Sequence, residues 1–207
     1  MDDLWYPQAA RIDGPAWKRG YTDTGIYRIG KGAVVHSAEG QWIGMLARLD
    51  STDQASWHFS LLYDGLIQHY PLQFAAWHAG GYANRRWFGV ECEGRAGEVL
   101  TEKQVARLCD LLKWASQAEA WPGFILQKDT GQLHEHRWYM ATACPSNRIP
   151  WTRILEELTM TMRLTPEEAL KFNAQVAYHL NDSRDLSKIA TVIQYIYRVK
   201  GWPWPVA

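Results

Sequence analysis

The sequence is short of three things, and each shortage removes a class of protein. Cysteine comes first: only Cys92, Cys109 and Cys144 occur in 207 residues, an odd and sparse set that builds no disulfide framework. Charge of one sign is the second. Lys and Arg total 22, as do Asp and Glu, so no basic excess argues for a nucleic-acid partner and none is expected. Long apolar runs are the third. No stretch approaches the roughly 18 residues of a membrane span, so membrane insertion is not expected. The opening MDDLWYPQAARIDG puts acids first and has no apolar core. This predicts synthesis in the cytoplasm without a signal peptide. There is no internal repeat and no low-complexity segment, and nothing in the sequence specifies an oligomeric state.

Tryptophan, by contrast, is plentiful: twelve residues, which suit core packing or flat platforms for sugars and bases equally well. Residues 1–31 are rich in Gly, Pro and turn formers and predict an irregular arm. GAVVH reads as a short buried strand. WHFSLLYD ends at Asp64-Gly65, a hairpin signal, and LIQHYPL is its partner. WFGVECEG is a third strand. Thr101 is an N-cap with Gln104 positioned for a capping box. Val105, Leu108, Leu111, Leu112 and Ala115 then recur at helical spacing, and Trp121-Pro122-Gly123 closes the helix. Strands followed by a helix predict an α/β domain, a mixed central β-sheet flanked by helices.

Beyond Trp151 the pattern changes. Thr165-Pro166-Glu167-Glu168 opens a helix. Stripes at Leu170, Val176, Leu180 and at Leu186, Ile189, Ile193, Tyr197 predict a helical hairpin over 161–200. The expected organisation is a catalytic domain over 1–160 and a helical extension over 161–207, which packs on the domain, binds a larger substrate or dimerises.

Three residues could ligate a metal. His36 ends the first strand, and His136 lies eight residues before Cys144 in HEHRWYMATACPS. Two imidazoles, one thiolate and an open fourth position make a catalytic zinc pattern, and these donors suit zinc better than oxygen-seeking ions. The spacing by itself is weak, since a strand-end histidine is commonly just a satisfied core residue.

The surrounding words carry more. VVHSAEG, SWHFSLLYDGLIQHYPL, AWHAGGYANRRWFGVECEG and HEHRWYMATACPS occur in this order over residues 28–151. Together they resemble the type-2 N-acetylmuramoyl-L-alanine amidases, a family that includes phage lysozyme-type amidases and peptidoglycan recognition proteins. The resemblance implies that His36, His136 and Cys144 hold Zn2+, with Glu135 where the family usually has Gly. It also implies that Glu91 is the catalytic carboxylate and that His78, in WHAG, lies beside the metal. His78, Trp57, Trp77 and Asn84 are the expected substrate-binding residues, in a cleft for peptidoglycan or a muropeptide.

The chemistry is coherent on its own terms. Zinc brings a water's pKa down to roughly 7 and stabilises a tetrahedral oxyanion. A nearby carboxylate can take the water's proton and pass it to the leaving amine. Glu91 is the candidate and Glu93, two residues on and on the same strand face, the runner-up near the rim; Glu91 paired with Arg85 or Arg86 is the structural alternative. The chain departs from the lysozyme-type pattern at Trp57, where those enzymes have Tyr, and at Thr142, where they have Lys. Thr142 can still donate a hydrogen bond to the oxyanion. His58 is expected to be structural, His69 and His134 to lie at the surface, with a place lining the cleft as the alternative for His134, and Cys92 and Cys109 to be buried apolar residues.

The function this implies is hydrolysis of the lactyl–L-Ala amide by a phage or prophage endolysin-type lytic enzyme, made in the cytoplasm and released to the wall through a holin. The alternatives are a cytosolic recycling amidase acting on anhydro-muropeptides and a non-catalytic peptidoglycan-binding module.

Overall fold

The computed structural model describes residues 3–20 and 25–160. The chain divides into two compact units, Met1–Ile154 and Leu155–Ala207. The helical hairpin expected over 161–200 lies outside the described residues.

The first unit is built on one six-stranded sheet: β1 (Ala10–Arg11), β2 (Ala33–Ser37), β3 (Phe59–Leu61), β4 (Leu66–Gln68), β5 (Phe88–Cys92) and β6 (Leu133–Glu135), in the order β1-β4-β3-β5-β2-β6. Only the β3–β4 hairpin is antiparallel; the other neighbours run parallel. The hairpin turns at Asp64-Gly65, where the sequence expected it, and Leu62 N–H closes it on Gly65 C=O at 2.9 Å. The expected mixed sheet with flanking helices is the fold observed. The arm over 1–31 is less irregular than expected, because Ala10–Arg11 adds an edge strand to β4 and residues 16–18 form a 3-10 turn.

The helices are α1 (Trp42–Asp50), α2 (Gly80–Asn84), α3 (Glu102–Ala118) and α4 (Trp151–Met160). α3 starts as its sequence dictates: Thr101 Oγ1 accepts from Gln104 N–H, and Gln104 Oε1 accepts from Thr101 N–H at 3.0 Å. Its stripe Val105, Leu108, Leu111, Leu112 and Ala115 is fully buried. Gln104 Nε2 donates to the Glu93 carbonyl at 3.0 Å, fixing the start of α3 against the end of β5.

β2 alternates between two environments, as a strand with both faces covered must. Val34 packs with Ala79, Ala83 and Trp87, and His36 projects to that same face two residues on. Because β2, β5 and β6 are parallel, their carboxyl ends lie side by side, the usual place for a site in a parallel sheet.

Candidate metal centre and active-site cleft

Strand register assembles the site. His36 pairs with Glu91 across β2–β5. On the other side Val35 pairs with Glu135, so His136 follows at the level of His36. One residue from each of three adjacent strand ends therefore stands in a row, with His36 central. The segment after β6 then turns back to deliver Cys144, whose Sγ accepts from Ser37 N–H at 3.1 Å and lies 3.9 Å from His36 Nδ1. One donor atom from each of His36, His136 and Cys144 falls within 4.8 Å of the others.

The hydrogen bonds fix which imidazole nitrogen is available. His78 Nε2 lies 3.0 Å from the Trp87 carbonyl. A carbonyl only accepts, so that nitrogen carries the proton. Burial lowers the His78 pKa to about 3, which leaves Nδ1 bare at neutral pH. His36 Nε2, 3.0 Å from that Nδ1, must then be the donor. The lone pair of His36 is left on Nδ1, the atom that faces Cys144 Sγ and, at 3.7 Å, Glu91 Oε1. Gly89 makes room for this relay, since a Cβ there would stand 2.8 Å from His78 Cγ.

Burial sets the electrostatics of these groups. Burial first, then the charges of His78 and His136, hold His36 well below its ordinary pKa. Burial, followed by Glu91, pushes the Cys144 thiol up to about 12. Burial pushes Glu91 up to about 8, opposed by Arg48 and reinforced by Glu39. Glu91 Oε2 is buried without a hydrogen-bond partner. Two bare imidazoles and a thiol around an orphaned carboxylate fit zinc. Tetrahedral zinc bonds of about 2.0 Å to nitrogen and 2.3 Å to sulfur would set such ligand atoms roughly 3.3–3.6 Å apart, and His36 Nδ1 and Cys144 Sγ already stand 3.9 Å apart.

The donors open into a cleft of about 610 Å³ whose lining includes Glu39, Arg48, Trp57, Trp77, His78, Glu91 and Thr142. Thr142 is exposed, and its Oγ1 accepts from Cys144 N–H at 3.2 Å, leaving its own hydroxyl proton to donate. Trp77 lines the cleft partly exposed.

Several expectations change. Trp57 is only 4% exposed and donates Nε1–H to Ser60 Oγ at 2.8 Å, so it forms wall rather than a stacking platform. Asn84 is buried outside the cleft lining; its Oδ1 accepts from His78 N–H and Ala79 N–H, both at 2.8 Å, and shapes the WHAG turn. His78 orients His36 in addition to facing the cleft. Glu93 is not at the rim: it is buried and accepts from Trp42 N–H and Tyr63 N–H, each at 2.9 Å. Glu91 faces His36, while Arg86 lies over the Tyr82 ring.

His69 and His134 are buried, not at the surface. His69 is held by Ser60 Oγ and the Ile12 carbonyl, and His134 packs against Trp87 with ring centroids 3.8 Å apart and the planes tilted by 32°. His58 is structural as expected, bonded to the Phe74 carbonyl and to Gly89 N–H. No local sequence pattern marks Arg48 or Glu39 as a cleft residue, because their place there is set by the fold.

A family model described as N-acetylmuramoyl-L-alanine amidase matches residues 27–147. No curated protein sequence matches the chain. Among solved structures, PlyL is similar with a TM-score of 0.57 at 17% identity, over 72% of this chain and 96% of that one. The endolysin N-acetylmuramoyl-L-alanine amidase LysCS from Clostridium intestinale has a TM-score of 0.55 at 20% identity, over 74% and 96%. The Staphylococcus aureus hydrolase AmiA gives 0.59 at 17%, over 77% and 87%. At such identities the likeness is one of fold. The family match, however, spans more than half of the chain, from before β2 to beyond Cys144, and so takes in every residue of the row and its third donor. The chain belongs to the N-acetylmuramoyl-L-alanine amidase family.

Proposed function

We propose that the protein is a zinc-dependent amidase hydrolysing the bond between the lactyl group of N-acetylmuramic acid and L-alanine in peptidoglycan. The observation that carries this reading is the in-register row of His36, Glu91 and His136, closed by Cys144 and opening on a cleft. His36 Nδ1, His136 and Cys144 Sγ would hold the metal. Zinc, when bound, supplies Lewis acidity that activates water and polarises a carbonyl.

The chain's own groups do the rest. Glu91 is the one carboxylate in the row, with an oxygen that has no other partner. A pKa brought near neutrality suits a group that takes a proton from water and returns it to the leaving amine. Thr142 supplies a hydroxyl donor at the cleft for the developing oxyanion. Trp77 flanks the substrate, and Trp57 and His78 give the wall its shape. The similarity to an endolysin supports a lytic enzyme that reaches the wall after release, with residues 161–207 as an accessory wall-binding or assembly element.

Product analysis tests this reading. Purified protein digesting peptidoglycan should release peptides with a free L-alanine amino terminus, and a chelator should stop it. Glu91→Gln should lower kcat at least 100-fold while one zinc per chain remains bound. Full activity in a zinc-loaded Glu91→Gln enzyme would remove Glu91 from the mechanism, and uncleaved muramoyl–alanine bonds would remove the reaction. Ending the chain near Arg163 should weaken sacculus binding more than cleavage of soluble fragments.

A further inference from the structure

The cleft that takes in Glu91, His136 and Cys144 is also lined by α1, through Gly44, Met45 and Arg48, a spacing that selects one face of a helix. A Cβ at Gly44 would meet nothing within 4 Å, so the wall there is open to a ligand. Arg48 lies one turn further, about 6 Å along the axis at 1.5 Å per residue, or roughly two residues of an extended peptide.

Arg48 is the only Lys or Arg among the described residues lining the cleft. The other acid there, Glu39, is committed: it accepts from Ser37 Oγ at 2.7 Å, Ser146 Oγ at 2.9 Å and Ala96 N–H at 2.8 Å. The Arg48 guanidinium is held loosely. Its ion pair with Asp53 spans 3.7 Å between side chains 62% and 59% exposed, and such surface pairs contribute little.

We propose that Arg48 binds a free carboxylate of the stem peptide, so that the peptide arm of the substrate runs along α1. The inference rests on the amidase reading. In a muropeptide the lactyl carboxyl is consumed in the scissile amide and the pyranose rings are neutral, so the negative charges belong to the peptide. An arginine fork matches a carboxylate with two parallel hydrogen bonds, and a neutral carboxamide loses the charge-assisted part of that contact. Arg48 is thus a specificity determinant that separates acidic stems from amidated ones.

The test compares two soluble N-acetylmuramoyl peptides that differ only in whether the second residue carries a free carboxylate or its amide. The zinc-loaded wild-type enzyme should favour the acid about tenfold in kcat/KM, chiefly through KM, and added salt should erode that preference. Arg48→Ala should bring the ratio near one, and Arg48→Glu should invert it. Calorimetry of the same peptides with zinc-loaded Glu91→Gln protein reads binding without turnover and should show the same order. A ratio unchanged in Arg48→Ala, or equal binding of acid and amide, would overturn the proposal. Failure of wild-type protein to cleave either peptide would instead sink the amidase reading, with the calorimetric preference still deciding the role of Arg48.

Discussion

At the residue scale, the site depends on a relay no single motif announces. VVH and WHAG mark His36 and His78 as candidates for a metal site. They do not say that the Trp87 carbonyl, through His78, dictates which nitrogen of His36 is bare. The sequence therefore shows the donors and hides what aims them: hydrogen bonds between residues 42 and 9 positions apart are invisible to local pattern. Asn84 and Trp57 show the reverse. Both stand in motif words, and both are turned inward by partners the sequence does not name. The relay predicts that His78→Ala loosens zinc about 10–100-fold, the usual cost of losing an orienting partner. His78→Asn, with an acceptor near the position of Nδ1, should recover part of it. Competition with a chromogenic chelator measures both, and wild-type affinity in His78→Ala would refute the relay.

At the element scale, legibility followed locality. α3 was readable to its first residue because its cap and stripe are written within the helix. β2, β5 and the β3–β4 hairpin were readable from short apolar runs and Asp-Gly. α1 was not, because its N-cap Gln41 makes no side-chain capping bond; a carboxylate 51 residues away, Glu93, accepts from Trp42 N–H instead. β6 is three residues long and is held by pairing with β2 along its length and with Leu126 at its start. The strand ends that carry His36 and Glu91 are tied by another remote residue. Arg148, 1% exposed, donates to Ser37 Oγ and the Cys92 carbonyl at 3.0 Å, and to the Glu93 and Glu98 carbonyls at 2.8 Å. Gly94, at φ +119°, leaves space for that guanidinium. Arg148→Met would leave buried acceptors unpaired, at a cost on the order of 3–5 kcal/mol. Urea unfolding checks this; a loss below about 1 kcal/mol would mean that the tie is dispensable.

At the scale of the whole molecule, the fold disfavours the charged form of the six described histidines. Burial is the first cause that lowers the basicity of His36, His58, His69, His78, His134 and His136, with His134 brought to about 4. In the unfolded chain these rings take up protons through about pH 6.5. Between that value and their folded pKa values the unfolded state binds more protons, so stability falls as pH falls. Each ring that stays neutral contributes up to about 1.4 kcal/mol per pH unit. Glu91 acts in the opposite sense. Its folded pKa, about 8, exceeds the ordinary 4.5, so between the two the folded state holds the extra proton and stability falls as pH rises. Below about pH 6.5 the six rings outweigh the one carboxyl. Metal-free protein should therefore be most stable near neutrality and lose on the order of several kcal/mol by pH 5, read from urea midpoints across the range. Glu91→Gln should lessen the decline up to about pH 8 and steepen the fall toward pH 5, because Glu91 opposes the rings between its two pKa values. A flat profile between pH 7 and 5 would mean that the rings do not stay neutral in the fold, and with that the bare Nδ1 of His36 would lose its basis.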